Sequence, residues 1–170
     1  MFEKLGAFKP IGDFPSEESN IKRVYKFQFE TEKHKYLADA ELFEGGIFML
    51  KFYLRSHKKH QGSRFSHRTN EGVAVEILGT CLNIALYLYE KFPKASFGFI
   101  GVNDKEEEKA NCKRYRVYKL ISIRFFSETK FNHFEDDTNS LYLMLNKDNL
   151  LLNETNIKEE ISRNYNILIN

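Results

Sequence analysis

The chain has no tryptophan, two cysteines and three prolines. Each scarcity excludes something. Cys81 and Cys112 are far apart in sequence, which argues against a disulfide scaffold or a zinc finger and leads us to expect a reduced, cytosolic protein. No apolar run approaches the ~20 residues that cross a bilayer. Residues 1–14 mix Glu, Lys, Gly and Pro and lack a basic-then-apolar signal, so no membrane association is expected. Charge of one sign is also missing overall. The formal net charge is +2, so any electrostatic function must come from local segregation. No nucleophile elbow, Walker loop or G-x-G-x-x-G occurs.

What the chain does have is aromatic mass: sixteen Phe and nine Tyr, within 42% hydrophobic residues. A chain of 170 residues with that content fits one domain with a real core. The expected division is an irregular arm over 1–23, a single α/β domain over 24–147, and a helical extension over 148–170. The arm holds Pro10 and Pro15. Tyr25, Phe27 and Phe29 alternate with Lys26, Gln28 and Glu30, which predicts a half-buried strand over 24–31. Strands over 36–43 and 47–55 follow, joined at the Gly45-Gly46 hairpin signal. Val73, Ile77, Leu78, Cys81, Leu82, Ile84, Ala85 and Leu88 recur at helical steps. They predict a long helix from about Asn70 to Lys91, stopped by Pro93. A strand over 96–102 follows, with Gly98 and Gly101 allowing close backbone approach. The remainder reads as an acidic loop (103–108), a helix (109–119), a strand pair (121–126 and 141–145) and a last helix (156–163) capped by Thr155. The expected fold is α+β: a mostly antiparallel twisted sheet that starts with a three-strand meander, with one long and one short helix packed on it and a C-terminal helix.

Charge is segregated in one stretch. Residues 51–70 contain no Asp or Glu but carry Lys51, Arg55, Lys58, Lys59, Arg64 and Arg68. Removing those six charges from the whole-chain +2 leaves the remainder at −4. Lys58, Lys59 and Arg64 are the candidates for contacting nucleic acid. A basic loop feeding a helix N-terminus also suits a phosphate, because cations, free N–H groups and the helix dipole converge there. The bland reading is a solvated hairpin extension. His57, His60 and His67 lie in the same stretch, but the segment does not read as a helix and no carboxylate or thiol joins them, so no metal site is expected. Arg114 and Tyr118 share a helix face at i, i+4, while Arg116 points elsewhere. Arginine forks suit phosphate or carboxylate. Alternatively these arginines pair with Glu106–Glu108 or with the carboxylates at 135–137.

Asn70, Gly72, Leu78, Thr80, Phe92, Pro93 and Ala95, followed by Arg114, Arg116 and Tyr118, carry a likeness. In this pattern the chain resembles a family of short bacterial proteins that form a domain of unknown function. That family has an Asn-x-Gly start, a Leu-x-Thr step, a Phe-Pro-x-Ala close and then Arg-x-Arg-x-Tyr. The likeness implies no activity. A second, weaker one is to the Gcn5-related N-acetyltransferase fold, in which a meander leads to a loop and helix that cradle the pyrophosphate of acetyl-coenzyme A. Arg68, Gly72 and Ala74 stand where that loop would, in a stretch one residue longer than usual and containing Glu71. Asn111 and Tyr118 fall on the next helix. This resemblance implies a phosphorylated, coenzyme A-type cofactor at the loop of Arg68 and Gly72. Together with the arginine chemistry and the first likeness, the candidate cofactor-binding residues are Arg68, Asn70, Gly72, Arg114 and Arg116, with Tyr118 as a candidate general acid.

The expected function is therefore a small protein with an anion-binding loop, acyltransferase-like whether active or degenerate. The alternatives are a nucleic-acid-binding, toxin–antitoxin or phage-defence component, or a non-catalytic protein-interaction module. The partner in the first two cases is a phosphorylated small molecule or a nucleic acid.

Overall fold

Alternating side chains over residues 21–54 build an antiparallel meander on which the rest of the chain is laid. The computed structural model describes residues 6–57, 74–100, 113–150 and 154–165. Its elements in chain order are β1 (Lys9–Pro15), β2 (Ile21–Glu30), β3 (Lys35–Phe43), β4 (Ile47–Leu54), α1 (Ala74–Lys91), β5 (Ser96–Ile100), α2 (Lys113–Phe125), β6 (Phe131–Asp136), β7 (Leu141–Asn146) and α3 (Glu154–Tyr165). A 3-10 turn, Arg55–His57, ends β4. The strands form one sheet in the order β1-β2-β3-β4-β5-β7-β6. Among the described strands, β4 and β5 alone run parallel; the other neighbours are antiparallel.

The two-residue period of a strand sorts side chains onto the two faces. Phe27, Phe29, Phe48, Leu50, Phe97 and Phe99 face α1 and α2 and join Ile77, Leu78, Cys81, Leu82, Leu88, Tyr115, Tyr118 and Ile121 in the larger core. The opposite face gathers Phe43, Ile47, Met49, Leu141, Leu143 and Leu145 under Ile157 and Ile161 of α3. β4 begins with four consecutive buried residues because it is covered on both sides. The long helix thus packs across the meander and β5, as its periodicity predicts.

The Gly45-Gly46 turn forms as expected. Both glycines have φ near +80°, a region side chains with a Cβ avoid. Gly98 is the other glycine with a specific reason. A Cβ there would lie 2.6 Å from both Leu143 Cδ2 and Met49 Sδ, so its absence lets β5 pass between those two side chains.

Four expectations are corrected. The irregular arm contains β1, paired with β2 from Lys9↔Gln28 to Pro15↔Arg23. All seven of its residues are exposed, so no alternation announces it. A bulge between Pro10 and Gly12 and two prolines are tolerated because this is an edge. Residues 121–126 are not a strand; they lie in the end of α2 and the residue after it. A strand would place Ile121, Ile123 and Phe125 on one face. The helix instead buries Tyr115, Tyr118, Ile121 and Ser122 at three- and four-residue steps and leaves Ile123 45% exposed. The strand that pairs with β7 is β6, inside the stretch read as polar. Its mixed composition follows from its place at the sheet edge. Finally, α3 is no extension. It starts at Glu154, so Thr155 sits in its first turn, and it covers a sheet face with Ile157 and Ile161.

Polar ties fix these pieces. Tyr165 of α3 donates its hydroxyl to Glu41 Oε2 at 2.8 Å, and Lys51 Nζ lies 2.9 Å from the same carboxylate. Lys51 is therefore engaged in a half-buried pair and stands apart from the basic loop. Burial, and then Glu41, push the Tyr165 hydroxyl well above its usual pKa. His133 Nε2 lies 2.7 Å from the Phe126 carbonyl and Nδ1 lies 2.8 Å from the Tyr142 hydroxyl. A carbonyl can only accept, so Nε2 carries the hydrogen and Nδ1 accepts from Tyr142. Asn146 Nδ2 donates to the carbonyls of Pro93 (2.9 Å) and Ala95 (3.2 Å), closing the α1–β5 turn onto β7.

Two stability outcomes are expected. Ile161→Ala should cost about 2–5 kcal/mol in chemical denaturation, the range for a buried aliphatic residue. A loss below ~0.5 kcal/mol, the surface value, would show that α3 is an appendage. Gly98→Val should cost about 1–3 kcal/mol by overpacking, read as a lowered midpoint with an unchanged denaturant slope.

Candidate functional site

The parallel pairing between β4 and β5 lasts three residues: Ile47↔Ser96, Phe48↔Phe97 and Met49↔Gly98. Beyond that the strands part. β4 continues to Leu54 against β3, ending at Tyr36↔Leu54. β5 continues to Ile100 against β7, ending at Ile100↔Leu141. Among the described residues the sheet is thus forked, and past that point the two arms no longer pair with each other. Leu50 and Phe99 are the first residues past the last pair, one on each arm. A narrow apolar cavity of ≈ 20 Å³ lies there, lined by Leu50, Phe99, Leu78, Cys81, Tyr118 and Ser122 among others. That volume suits one water-sized or methyl-sized group.

α2 spans the fork because its core-facing stripe carries an arginine and a tyrosine one turn apart. Tyr118 stacks on Phe99 of the β5 arm, with ring centroids 3.9 Å apart and planes 30° apart. Arg114 places its guanidinium 5.2 Å from the ring centroid of Phe52 on the β4 arm. The expected shared face of Arg114 and Tyr118 is therefore present, and it faces the fork. Arg116 is exposed on another side. The carboxylates at 135–137 are engaged by Lys119, which pairs with Glu135, by Asn139, which donates to Asp136, and by Tyr115, whose hydroxyl donates to Asp137 at 2.6 Å.

At the cavity wall the Tyr118 hydroxyl is hydrogen-bonded to the Cys81 thiol. Burial pushes that thiol up to about 12, against the opposing pull of the Tyr118 hydroxyl and the Arg114 charge. At neutral pH Cys81 is a neutral thiol in an apolar wall and is no nucleophile. The wall of the cavity is thus mostly apolar, and the side-chain polar atoms on it belong to Tyr118, Cys81 and Ser122.

Lys58, Lys59, Arg64, Arg68, Asn70 and Gly72 lie outside the described residues, as do His60, His67, Asn111, Cys112 and Glu106–Glu108. The chain that carries the basic residues leaves from the end of β4 and returns at α1, so both of its attachment points belong to the β4 arm and the helix over it. Among the described residues no group of three or more His, Cys, Asp or Glu side chains could hold a metal ion. Among them also, no helix is long and apolar enough to cross a membrane.

Sequence reasoning placed Arg114 and Tyr118 but missed Leu50, Phe52, Phe99 and Cys81 as their neighbours. Phe52 and Phe99 were legible as strand residues. Nothing in a one-dimensional pattern announces where two parallel strands separate. No protein-family model, no curated protein and no solved structure matches this chain.

Cys81 supplies a direct check of this wall. In a Cys112→Ser background, native protein at pH 8 should react with an aromatic disulfide reagent at least ~100-fold more slowly than urea-unfolded protein, because the folded-state pKa is raised and the thiol is buried. The sign also runs to stability. A group with a raised folded pKa stabilises the fold below its unfolded pKa. That contribution should be lost as pH rises from about 9 toward about 12.

Proposed function

We propose that this protein is acyltransferase-like and binds a phosphorylated, coenzyme A-type ligand across the β4–β5 fork, in a cytoplasmic setting. The observation that carries the reading is the fork itself. Among the described residues no strand pairs with the inner edges of the two arms that flank the cavity, and a thin ligand arm bearing amides can pair with such edges as an added strand would. The cavity at the crotch has room for the methyl of an acetyl group and is lined for one, being apolar with the Tyr118 and Ser122 hydroxyls and the Cys81 thiol at its wall. The basic stretch with Lys58, Lys59, Arg64 and Arg68 joins the β4 arm to α1 and supplies charge for phosphates, and Asn70 and Gly72 precede α1 in sequence. Arg114 stands over the β4 arm, where an arginine fork suits phosphate. The element order of meander, loop, long helix, strand and helix agrees with the likeness to Gcn5-related N-acetyltransferases.

Such a ligand would supply an activated acyl group. Of this chain's residues, Leu50, Phe99 and Cys81 exclude water from the crotch, Arg114 orients charge, and Tyr118 is the group able to give a proton to a departing thiolate. The exposed Arg116 has no part in the crotch and serves at most an outer phosphate.

Thermal shift and calorimetry with coenzyme A, nucleotides and short duplex oligonucleotides test this. Coenzyme A at 100 times its Kd should stabilise by roughly 2.7 kcal/mol. Arg114→Ala should weaken binding roughly 10- to 100-fold, the share of a charge-assisted hydrogen bond of about 1.5–3 kcal/mol. If acyl transfer is measurable, Tyr118→Phe should lower kcat about 10²–10⁴-fold with affinity retained. Stabilisation by oligonucleotides but not by coenzyme A would overturn the reading in favour of nucleic acid. In that case affinity should fall with salt at a slope near −0.9 per phosphate and vanish in a variant carrying Lys58→Glu, Lys59→Glu and Arg64→Glu.

A further inference from the structure

The sheet ends in two edges of opposite character. β1 carries Pro10, Pro15 and a bulge between Pro10 and Gly12, all of which oppose a further strand. β6 has no proline, no glycine and no bulge, and among the described residues no strand pairs with its outer side. Lys147 N–H bonds the Lys130 carbonyl, which makes 130/147 a hydrogen-bonded pair. Antiparallel alternation then turns the backbone groups of Phe131, His133 and Glu135 away from β7. The Phe131 N–H is already used by the Ser127 carbonyl, so its carbonyl remains outward.

We propose that β6 pairs with the β6 of a second copy of this chain, antiparallel about a two-fold axis at His133. In that register His133 exchanges both backbone hydrogen bonds with the partner's His133. Each Glu135 N–H donates to the partner's Phe131 carbonyl. The side chains fit the same register. Lys130 stands opposite the partner's Asp136 twice over, and no charge faces its own sign. A register shifted by two residues keeps a two-fold axis but loses the match of Lys130 with the partner's Asp136, and a shift by one sets outward-turned backbone groups against inward-turned ones.

α2 supplies the apolar part. The Lys119 ammonium pairs with Glu135 of β6, so that stripe of α2 overhangs the edge. Ile123 is one helical turn further along the stripe, and Leu120 lies beside it. They are 45% and 69% exposed, the two large apolar side chains that α2 turns outward. A two-fold axis at His133 sets the two α2 helices side by side, so that these residues bury one another. The contact is isologous, with the same patch on both copies. It is independent of any ligand in the fork.

Sedimentation equilibrium and light scattering on the full chain test the pairing. Wild type should weigh twice its 20.1 kDa chain mass. A variant with Leu120→Glu and Ile123→Glu should be monomeric with an unchanged circular dichroism spectrum. Lys130→Glu should weaken the dimer about 10-fold, since two favourable cross-strand charge pairs become repulsive. Adding Asp136→Lys to it should restore the dimer, with dichroism confirming a folded chain. A wild-type chain still monomeric at about 100 µM, a hundredfold above a micromolar Kd, would overturn the proposal and leave the edge to a different protein. So would a dimer indifferent to both the α2 and the Lys130 variants. Neither outcome touches the reading of the fork.

Discussion

Everything in this molecule hangs on a pairing only three residues long. Ile47, Phe48 and Met49 against Ser96, Phe97 and Gly98 join an antiparallel half made of β1 to β4 to a second half made of β5 to β7. Three supports make so short a seam hold. The Ser96 N–H bonds the Gly46 carbonyl at 3.0 Å. Phe48 stacks on Phe97, with centroids 5.9 Å apart and planes 17° apart. Gly98 clears the way for Met49 and Leu143 on the other face. Were the seam longer, the two arms would satisfy each other's backbone groups and no fork would exist. Were it shorter, the halves would rely on the helices packed over them and on side-chain ties such as Asn149 to the Gly45 carbonyl.

Most of the fold was legible because it is written in periodicity. The Tyr25/Phe27/Phe29 alternation, the glycine pair at 45–46 and the helical steps from Ile77 to Leu88 each name their element. The failures have physical causes. β1 buries nothing, so its pairing rests on backbone hydrogen bonds that carry no side-chain signature. Residues 121–126 satisfy both a two-residue and a 3.6-residue pattern, and tertiary burial of Tyr115, Tyr118 and Ile121 decided for the longer period. β6 is half polar because one of its sides is an edge. Of the candidate site, the i, i+4 relation of Arg114 and Tyr118 could be read, since it follows from helix geometry. What the pair faces could not, because Phe52 and Phe99 sit 47 residues apart in sequence and meet α2 only across the fork.

The site also shows how a polar residue is made harmless. Cys81 is a nucleophile by type, yet the apolar wall keeps it protonated, and the neighbouring tyrosine and arginine only partly offset that penalty. His133 is disarmed in another way: both ring nitrogens are occupied by Phe126 and Tyr142, so the imidazole acts as a strut between the end of α2 and the β6–β7 hairpin. In both cases chemistry suggested by residue type is overridden by packing. Tyr118 differs from both: its ring is held by stacking on Phe99 while the residue lines the cavity.

The prolines and the bulge of β1 have a consequence for growth. A sheet open on both sides has two valences, and copies that add edge to edge can lengthen without limit into a filament. Here one valence is removed by residues that cost the fold little, because β1 buries almost nothing. In the proposed dimer, strand addition at the other edge would therefore end in a closed pair. The least conspicuous strand of the protein would then be the one that sets a ceiling on its assembly.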